Sequence, residues 1–232
     1  MKLLFLLLKG ASLGKFMLSG GTMLLSVITY AMVFGWPYAV GFVALLFCHE
    51  LGHYLAARQR NLDVGLPMFI PFVGAWIGLK EQIPDAETEA WVGIAGPLLG
   101  SLAAAGCYFL ARHYGSSLLL ALSYSGFLLN LFNLIPVPPL DGGRVTAAIS
   151  RKIWYPGIPI LLGFFYLHPS PLLLLVCVLA GTQLWARRNE SSEYSSTLTA
   201  AKRGEYALLY FGLVAWLSLM TFNLHEQLAA FR

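Results

Sequence analysis

Charge is scarce in this sequence. Asp, Glu, Lys and Arg make up only 11% of its 232 residues, against roughly 25% in soluble domains. That leaves too little polar surface to hold a chain of this size in water, and it excludes an ordinary soluble enzyme. Cysteine is as rare: Cys48, Cys107 and Cys177 all sit inside apolar runs with no CxxC or other paired spacing. A disulfide framework and a thiolate metal site are therefore excluded, and the three read as small buried apolar residues. No polar stretch is long enough for a second folded unit, so a single integral membrane domain over residues 1–232 is expected. The 15 basic residues exceed the 11 acidic ones to give +4, but they punctuate apolar segments instead of forming one basic face. This excess points to a lipid bilayer surface and away from nucleic acid.

What the sequence has in abundance is hydrocarbon. Its residues are 58% hydrophobic and its mean hydropathy is +0.69. A helical span needs about 20 mostly apolar residues. Candidates are Phe16–Gly35, Pro37–Ala57, Glu89–Ala111, Ser117–Ile135, Ile153–Leu167, Pro171–Ala186 and Glu205–Phe222, the fifth being short and carrying Pro156 and Pro159. The apolar start, Leu3 to Leu8 flanked by Lys2, Lys9 and Lys15, is too short to cross and lacks a small-residue cleavage site, which suits a retained interfacial segment. The expected fold is an all-α polytopic membrane protein of six or seven transmembrane helices. With seven spans and the N-terminus inside, 13 of the 15 basic residues fall on the cytoplasmic side, with only Arg112 and Arg232 opposite; fusing the fifth and sixth segments gives a weaker bias of 10 to 5. Localisation in a prokaryotic cell membrane is the expectation.

One apolar stretch does not read as a span. In "GLPMFIPFVGAWIGLK", Gly65 to Lys80, Pro67, Pro71, Gly74 and Gly78 break any helix. Apolar residues either side of a central Gly74 fit a β-hairpin, near residues 66–80, dipping into the membrane. Unpaired backbone at that depth survives only against protein or a wet cavity, so this segment implies a cavity.

The second span carries ionisable groups where they are costly. In "GFVALLFCHELGHYLAARQR", His49 and His53 are spaced i, i+4 with Glu50 beside them. That HExxH spacing puts both imidazoles on one helix face, within reach of one zinc ion. A hydrolytic zinc site takes three protein ligands and keeps one position open, so a third ligand is needed. The metzincin extension fails, because Ala56 and Gln59 stand where glycine and a third histidine belong. His113, His168 and His225 fall at the outer face, whereas His49 lies about 14 Å from the inner boundary at Arg58. Candidate acids on the inner side are Asp63, Glu81, Asp85, Glu87, Glu89 and Asp141; the first five share one polar loop and read mostly as solvated charge. Asp141 differs, lying in "NLFNLIPVPPLDGGR", where Pro136, Pro138 and Pro139 prevent a helix and Gly142 and Gly143 permit unusual backbone angles. Such a stretch can turn back and aim one carboxylate at a buried metal.

Four motifs, in order, now resemble the site-2 protease family of intramembrane zinc metalloproteases. They are the HExxH, the Pro-flanked "FIPFVGA", "AGPLLGS" at Ala95–Ser101, and "NLIPVPPLDGGR" at Asn133–Arg144. The resemblance runs from about Pro37 to Arg144 and implies a compact member lacking the PDZ or CBS modules of some relatives, with a catalytic core at about 37–150 and C-terminal helices at about 153–222. It implies that His49, His53 and Asp141 ligate one Zn2+ and that Glu50 is the general base. Asn133 and Gly74 match residues taken to contact substrate, which would be a transmembrane protein cleaved within or near its span. Two alternatives stand beside this. A protease of another lineage would draw its third ligand from Glu87 or Glu89, and a zinc transporter or sensor would need further ligands along a path.

Overall fold

The computed structural model describes residues 2–72, 74–76, 85–187 and 198–230. Its first two helices, α1 (Lys2–Phe34) and α2 (Trp36–Gln59), are separated by Gly35 in a left-handed conformation at φ 83°, with Pro37 in the first turn of α2. A hairpin follows, β1 (Met68–Ile70) antiparallel to β2 (Gly74–Trp76). Helix α3 (Ala86–Tyr114) starts at Asp85, whose side chain accepts from the Thr88 amide at 2.7 Å, and stops at left-handed Gly115. Then come α4 (Ser117–Asn133), α5 (Asp141–Ile149), a 3-10 turn at Arg151–Ile153, α6 (Trp154–Leu167), α7 (Pro171–Arg187) and α8 (Ala200–Ala229).

Helix α3 is the hub: it packs against α2, α4 and α5, while α8 closes over α4 and α5. The main core joins α3, α4, α5 and α8 through Ile94, Phe127, Leu134, Val145, Tyr210 and Leu217, and Tyr210 donates its hydroxyl to the Leu134 carbonyl at 2.6 Å. Outward, the helices present large apolar side chains. Met32 is 83% exposed, Phe109 69% and Leu208 78%. A water-soluble fold would cover such a surface, whereas lipid accepts it. This is a helical integral membrane protein.

Each of the seven expected segments is helical, but among the described residues four helical stretches are long and apolar enough to cross a membrane alone: Met17–Phe34 of α1, and α2, α3 and α8. Helix α4 stops after 17 residues, ahead of Pro136, and α6 has 14 with Pro159 inside. The separate interfacial segment expected at Lys2–Lys15 continues into the first span as one helix.

Two local expectations need correction. Gly74 is not the centre of the hairpin: it opens β2, paired with Ile70, and the turn lies before it. Gly142 and Gly143 adopt helical angles inside α5, so their value is space. A Cβ on Gly142 would lie 2.2 Å from the Leu134 carbonyl oxygen, and one on Gly143 would lie 2.3 Å from the Pro138 nitrogen. Only glycine lets α5 pack this tightly against the chain that leads into it.

The hairpin is fastened to α1 by three hydroxyls. Ser19 donates to the Pro67 carbonyl at 2.6 Å, Thr22 accepts from the Phe69 amide at 3.2 Å, and Tyr30 accepts from the Phe72 amide at 3.1 Å. Lys80, Glu81 and residues 188–197 of the polar loop lie outside the described residues.

Candidate metal centre

Helix geometry places His49 and His53 one turn apart on the face of α2 that meets α3 and α4. Asp141, opening α5, reaches them from the other side because the proline-rich stretch after α4 folds back. His49 is 3% exposed, and Glu50, His53 and Asp141 are each 8%. Three atoms converge: Asp141 Oδ2 is 3.2 Å from His49 Nε2 and 3.2 Å from His53 Nε2, and the two Nε2 atoms are 3.1 Å apart. The Glu50 carboxylate joins the two histidines in a cluster whose ligand atoms all lie within 4.8 Å of one another.

The ring protons are committed elsewhere. His49 Nδ1–H donates to Asn130 Oδ1 at 2.8 Å, and the Asn130 amide is itself fixed by donating to the Gly126 carbonyl at 2.7 Å. His53 Nδ1–H donates to the Val92 carbonyl at 2.7 Å. Both Nε2 atoms are therefore lone pairs aimed at one point, together with a carboxylate oxygen. Without a cation this arrangement is repulsive; around one it is a ligand set with its outer hydrogen bonds already made.

The fit to zinc is close. A tetrahedral site with ligands at about 2.0–2.1 Å separates those ligands by about 3.3–3.4 Å, and the observed separations are 3.1–3.2 Å. Charge agrees as well. With neutral imidazoles, the carboxylates of Glu50, Asp141 and the buried Glu89 against the guanidinium of Arg144 leave a formal excess of two negative charges, which a divalent ion cancels.

Glycines of α3 make room for this assembly. A Cβ on Gly96 would lie 2.2 Å from His53 Nε2, and one on Gly100 would lie 2.4 Å from Asn130 Oδ1. On α2, a Cβ on Gly52 would lie 2.2 Å from the Ala95 carbonyl oxygen. The "AGPLLGS" motif is thus a seat for the ligand shell as well as a helix-packing surface.

Other candidates fall elsewhere. Asn133 donates to the Leu129 carbonyl at 3.0 Å, within its own helix. Glu87 pairs with Arg60 at 3.3 Å and Asp85 caps α3, so neither points to a third-ligand role. Glu89, read as solvated charge, is instead buried, with Oε1 4.0 Å from Arg144 Nε. His113 packs on Tyr114 and His225 on Tyr124. Among the described residues no second ligand cluster marks an ion path. The sequence reading missed Asn130 and the Val92 carbonyl. An amide flanked by leucines in the apolar stretch "SGFLLNLFN" was a usable signal for the first, because polar groups there are costly; a backbone carbonyl leaves no sequence signal.

The fold and site define a helical membrane protein built around a buried His–His–carboxylate centre. Residues 37–117 match the model of peptidase family M50. Zinc metalloprotease MJ0392 of Methanocaldococcus jannaschii is 31% identical over 137 residues, 56% of this chain and 39% of that protein. The Arabidopsis thaliana chloroplast protein described as "probable zinc metalloprotease EGY1" is 29% identical over 161 residues, 62% of this chain and 24% of that protein. The match to peptidase family M50 thus spans the stretch that carries His49, Glu50 and His53. The solved site-2 protease from Methanocaldococcus jannaschii overlaps with a TM-score of 0.49 at 26% identity, over 69% of this chain and 85% of that one. The chain spans 39% and 24% of the length of these two curated relatives. Asp141 lies beyond the matched family region, so its place in the centre rests on its distances to the two histidines.

Proposed function

We propose that this protein is an intramembrane zinc metalloprotease that hydrolyses peptide bonds within or near the spans of membrane-protein substrates. The observation that carries this reading is the convergence of His49 Nε2, His53 Nε2 and Asp141 Oδ2 beside Glu50, buried on an apolar helix long enough to cross a membrane. His49, His53 and Asp141 would hold one zinc ion. The chemistry zinc supplies when bound is an acidified water and a polarised carbonyl. Glu50 accepts the proton of the attacking water on its carboxylate and returns it to the nitrogen of the departing amine. Its buried position beside the ligands suits both transfers, because bulk water is kept from competing for the proton. Asn133, at the end of α4, offers an amide to the substrate backbone or to the developing negative charge.

A substrate helix hides its carbonyls in hydrogen bonds, so it must be unwound locally before attack. The hairpin, dipping into the membrane, receives the unwound segment as an added strand at Gly74, satisfying its backbone groups while one peptide bond stays open. The supporting observation is the pairing of β1 with β2, together with the α1 hydroxyls that already occupy Phe69 on β1 and Pro67 just before it. We place the catalytic core at about 37–150 and the remaining helices at about 153–222 within one membrane domain, with six or seven crossings. The basic-residue bias supports an N-terminus and active site toward the cytoplasm of a prokaryotic cell.

The test pairs two measurements on wild type and Glu50→Gln in one detergent: zinc per chain, and cleavage of a model single-span protein. The variant is expected to keep its zinc and lose cleavage. Equal cleavage by both proteins overturns the role of Glu50, and zinc-free wild type overturns the metal site.

A further inference from the structure

The mechanism leaves one partly covered cation beside the centre without a task. Arg144 stands one turn after Asp141 on α5, and its Nη1 lies 3.9 Å from Asp141 Oδ1, the oxygen turned away from the histidines. Its Nε lies 4.0 Å from Glu89 Oε1 on the first turn of α3. The guanidinium is mostly covered, and Nη2 is buried with no hydrogen-bond partner in the structure. A guanidinium in such a place is costly unless its surroundings require it. The backbone is shaped to admit it: a Cβ on Gly93 would lie 3.3 Å from Arg144 Cβ and 3.4 Å from the Asp141 carbonyl oxygen. The tightest contact of that Cβ would be Val145 Cγ2 at 3.2 Å, so a side chain at 93 would press on the face of α5 that carries Asp141 and Arg144.

We propose that Arg144 is a positioning residue for the metal centre, holding the outer oxygen of Asp141 so that a single oxygen faces the metal, and that Glu89 anchors Arg144 from α3. The inference rests on the proposed zinc site but not on proteolysis. Each histidine of the centre has a fixed outer partner, Asn130 for His49 and the Val92 carbonyl for His53. Arg144 is the corresponding partner for the carboxylate. Without it Asp141 can rotate to present both oxygens or turn away, and its second oxygen is buried without a counter-charge. Without Glu89, Arg144 keeps its charge but loses the contact that fixes its position.

The experiment is a chelator competition that measures the zinc affinity of purified full-length protein in detergent. It compares wild type with Arg144→Gln, Arg144→Lys, Glu89→Gln and the double variant Arg144→Gln/Glu89→Gln, with monodispersity and thermal unfolding as folding controls. Arg144→Gln is expected to weaken zinc binding by about 10- to 100-fold. Arg144→Lys is expected to recover part of that loss, and Glu89→Gln to cost less than Arg144→Gln. The double variant should match Arg144→Gln alone, because Glu89 acts through Arg144; a merely structural role would give additive losses that follow the unfolding temperature. Zinc affinity within about twofold of wild type in well-folded Arg144→Gln overturns the proposal, as do additive losses. Wild type that binds no zinc overturns the metal site itself, a separate outcome.

Discussion

His49 on α2 and Asn130 on α4 are joined by a 2.8 Å hydrogen bond in the protein interior, and the bond runs from the ring nitrogen that faces away from Asp141. It fixes the tautomer of His49 and ties the metal-facing helix to a helix that carries no ligand.

Asn130→Leu removes that acceptor while roughly keeping volume. The His49 ring is then free to turn, and zinc affinity measured by chelator competition should fall about 10- to 100-fold. Asn130→Asp keeps an acceptor oxygen and should retain most of the affinity. Unchanged affinity in Asn130→Leu would remove the bond from any account of the centre.

Gly96→Ala and Gly106→Ala form an informative pair. Both residues lie in α3, where glycine to alanine ordinarily favours a helix by roughly 1 kcal/mol. A Cβ on Gly106 meets nothing within 4 Å, whereas one on Gly96 lies 2.2 Å from His53 Nε2. His53 is held by the Val92 carbonyl and cannot simply step aside. Gly106→Ala should therefore leave zinc content and unfolding temperature unchanged or slightly raised, while Gly96→Ala should lose zinc. Equal behaviour of the two proteins in metal analysis would contradict the seat described for His53.

Removing zinc should itself destabilise the fold. The three convergent ligand atoms and the uncompensated negative charge stay buried after the ion leaves, so chelated protein should unfold at a lower temperature in detergent, and added zinc should restore it. In His49→Ala/His53→Ala protein the chelator should have no effect on the unfolding temperature.

Thr22→Val together with Ser19→Ala removes two of the three hydroxyl contacts between α1 and the hairpin. Exchange of the Phe69 amide with deuterium should accelerate, and cleavage of a single-span model protein should drop, while zinc per chain stays at the wild-type value. Thr22→Ser should retain the slow exchange. Unaltered exchange at Phe69 in the double variant would mean that the hairpin holds itself in place.

Much of this was legible in the sequence where the signal is local. His49, Glu50 and His53 are spaced by helix geometry, and an ionisable cluster in an apolar helix stands out because hydrocarbon makes it costly. Asp141 stood out because the prolines before it prevent a helix and let the chain turn back. Contacts that depend on how helices meet were not legible. Gly142 and Gly143 look the same in sequence whether they provide dihedral freedom or space, and only the nearby Leu134 and Pro138 backbone separates the two. Glu89 reads as solvent-facing until α5 brings Arg144 alongside it. Span counting met a similar limit, since α4, α6 and α7 are helical yet shorter than a bilayer crossing ordinarily requires.

The return of α5 beneath α2 also governs timing. His49, Glu50 and His53 emerge early in synthesis, whereas Asp141 follows only after α3 and α4 have been made. A nascent chain with α2 already in the bilayer holds an unfinished centre, lacking the carboxylate that closes it. On the proposed protease reading, hydrolytic competence therefore arrives late, only once α3, α4 and the start of α5 have been made.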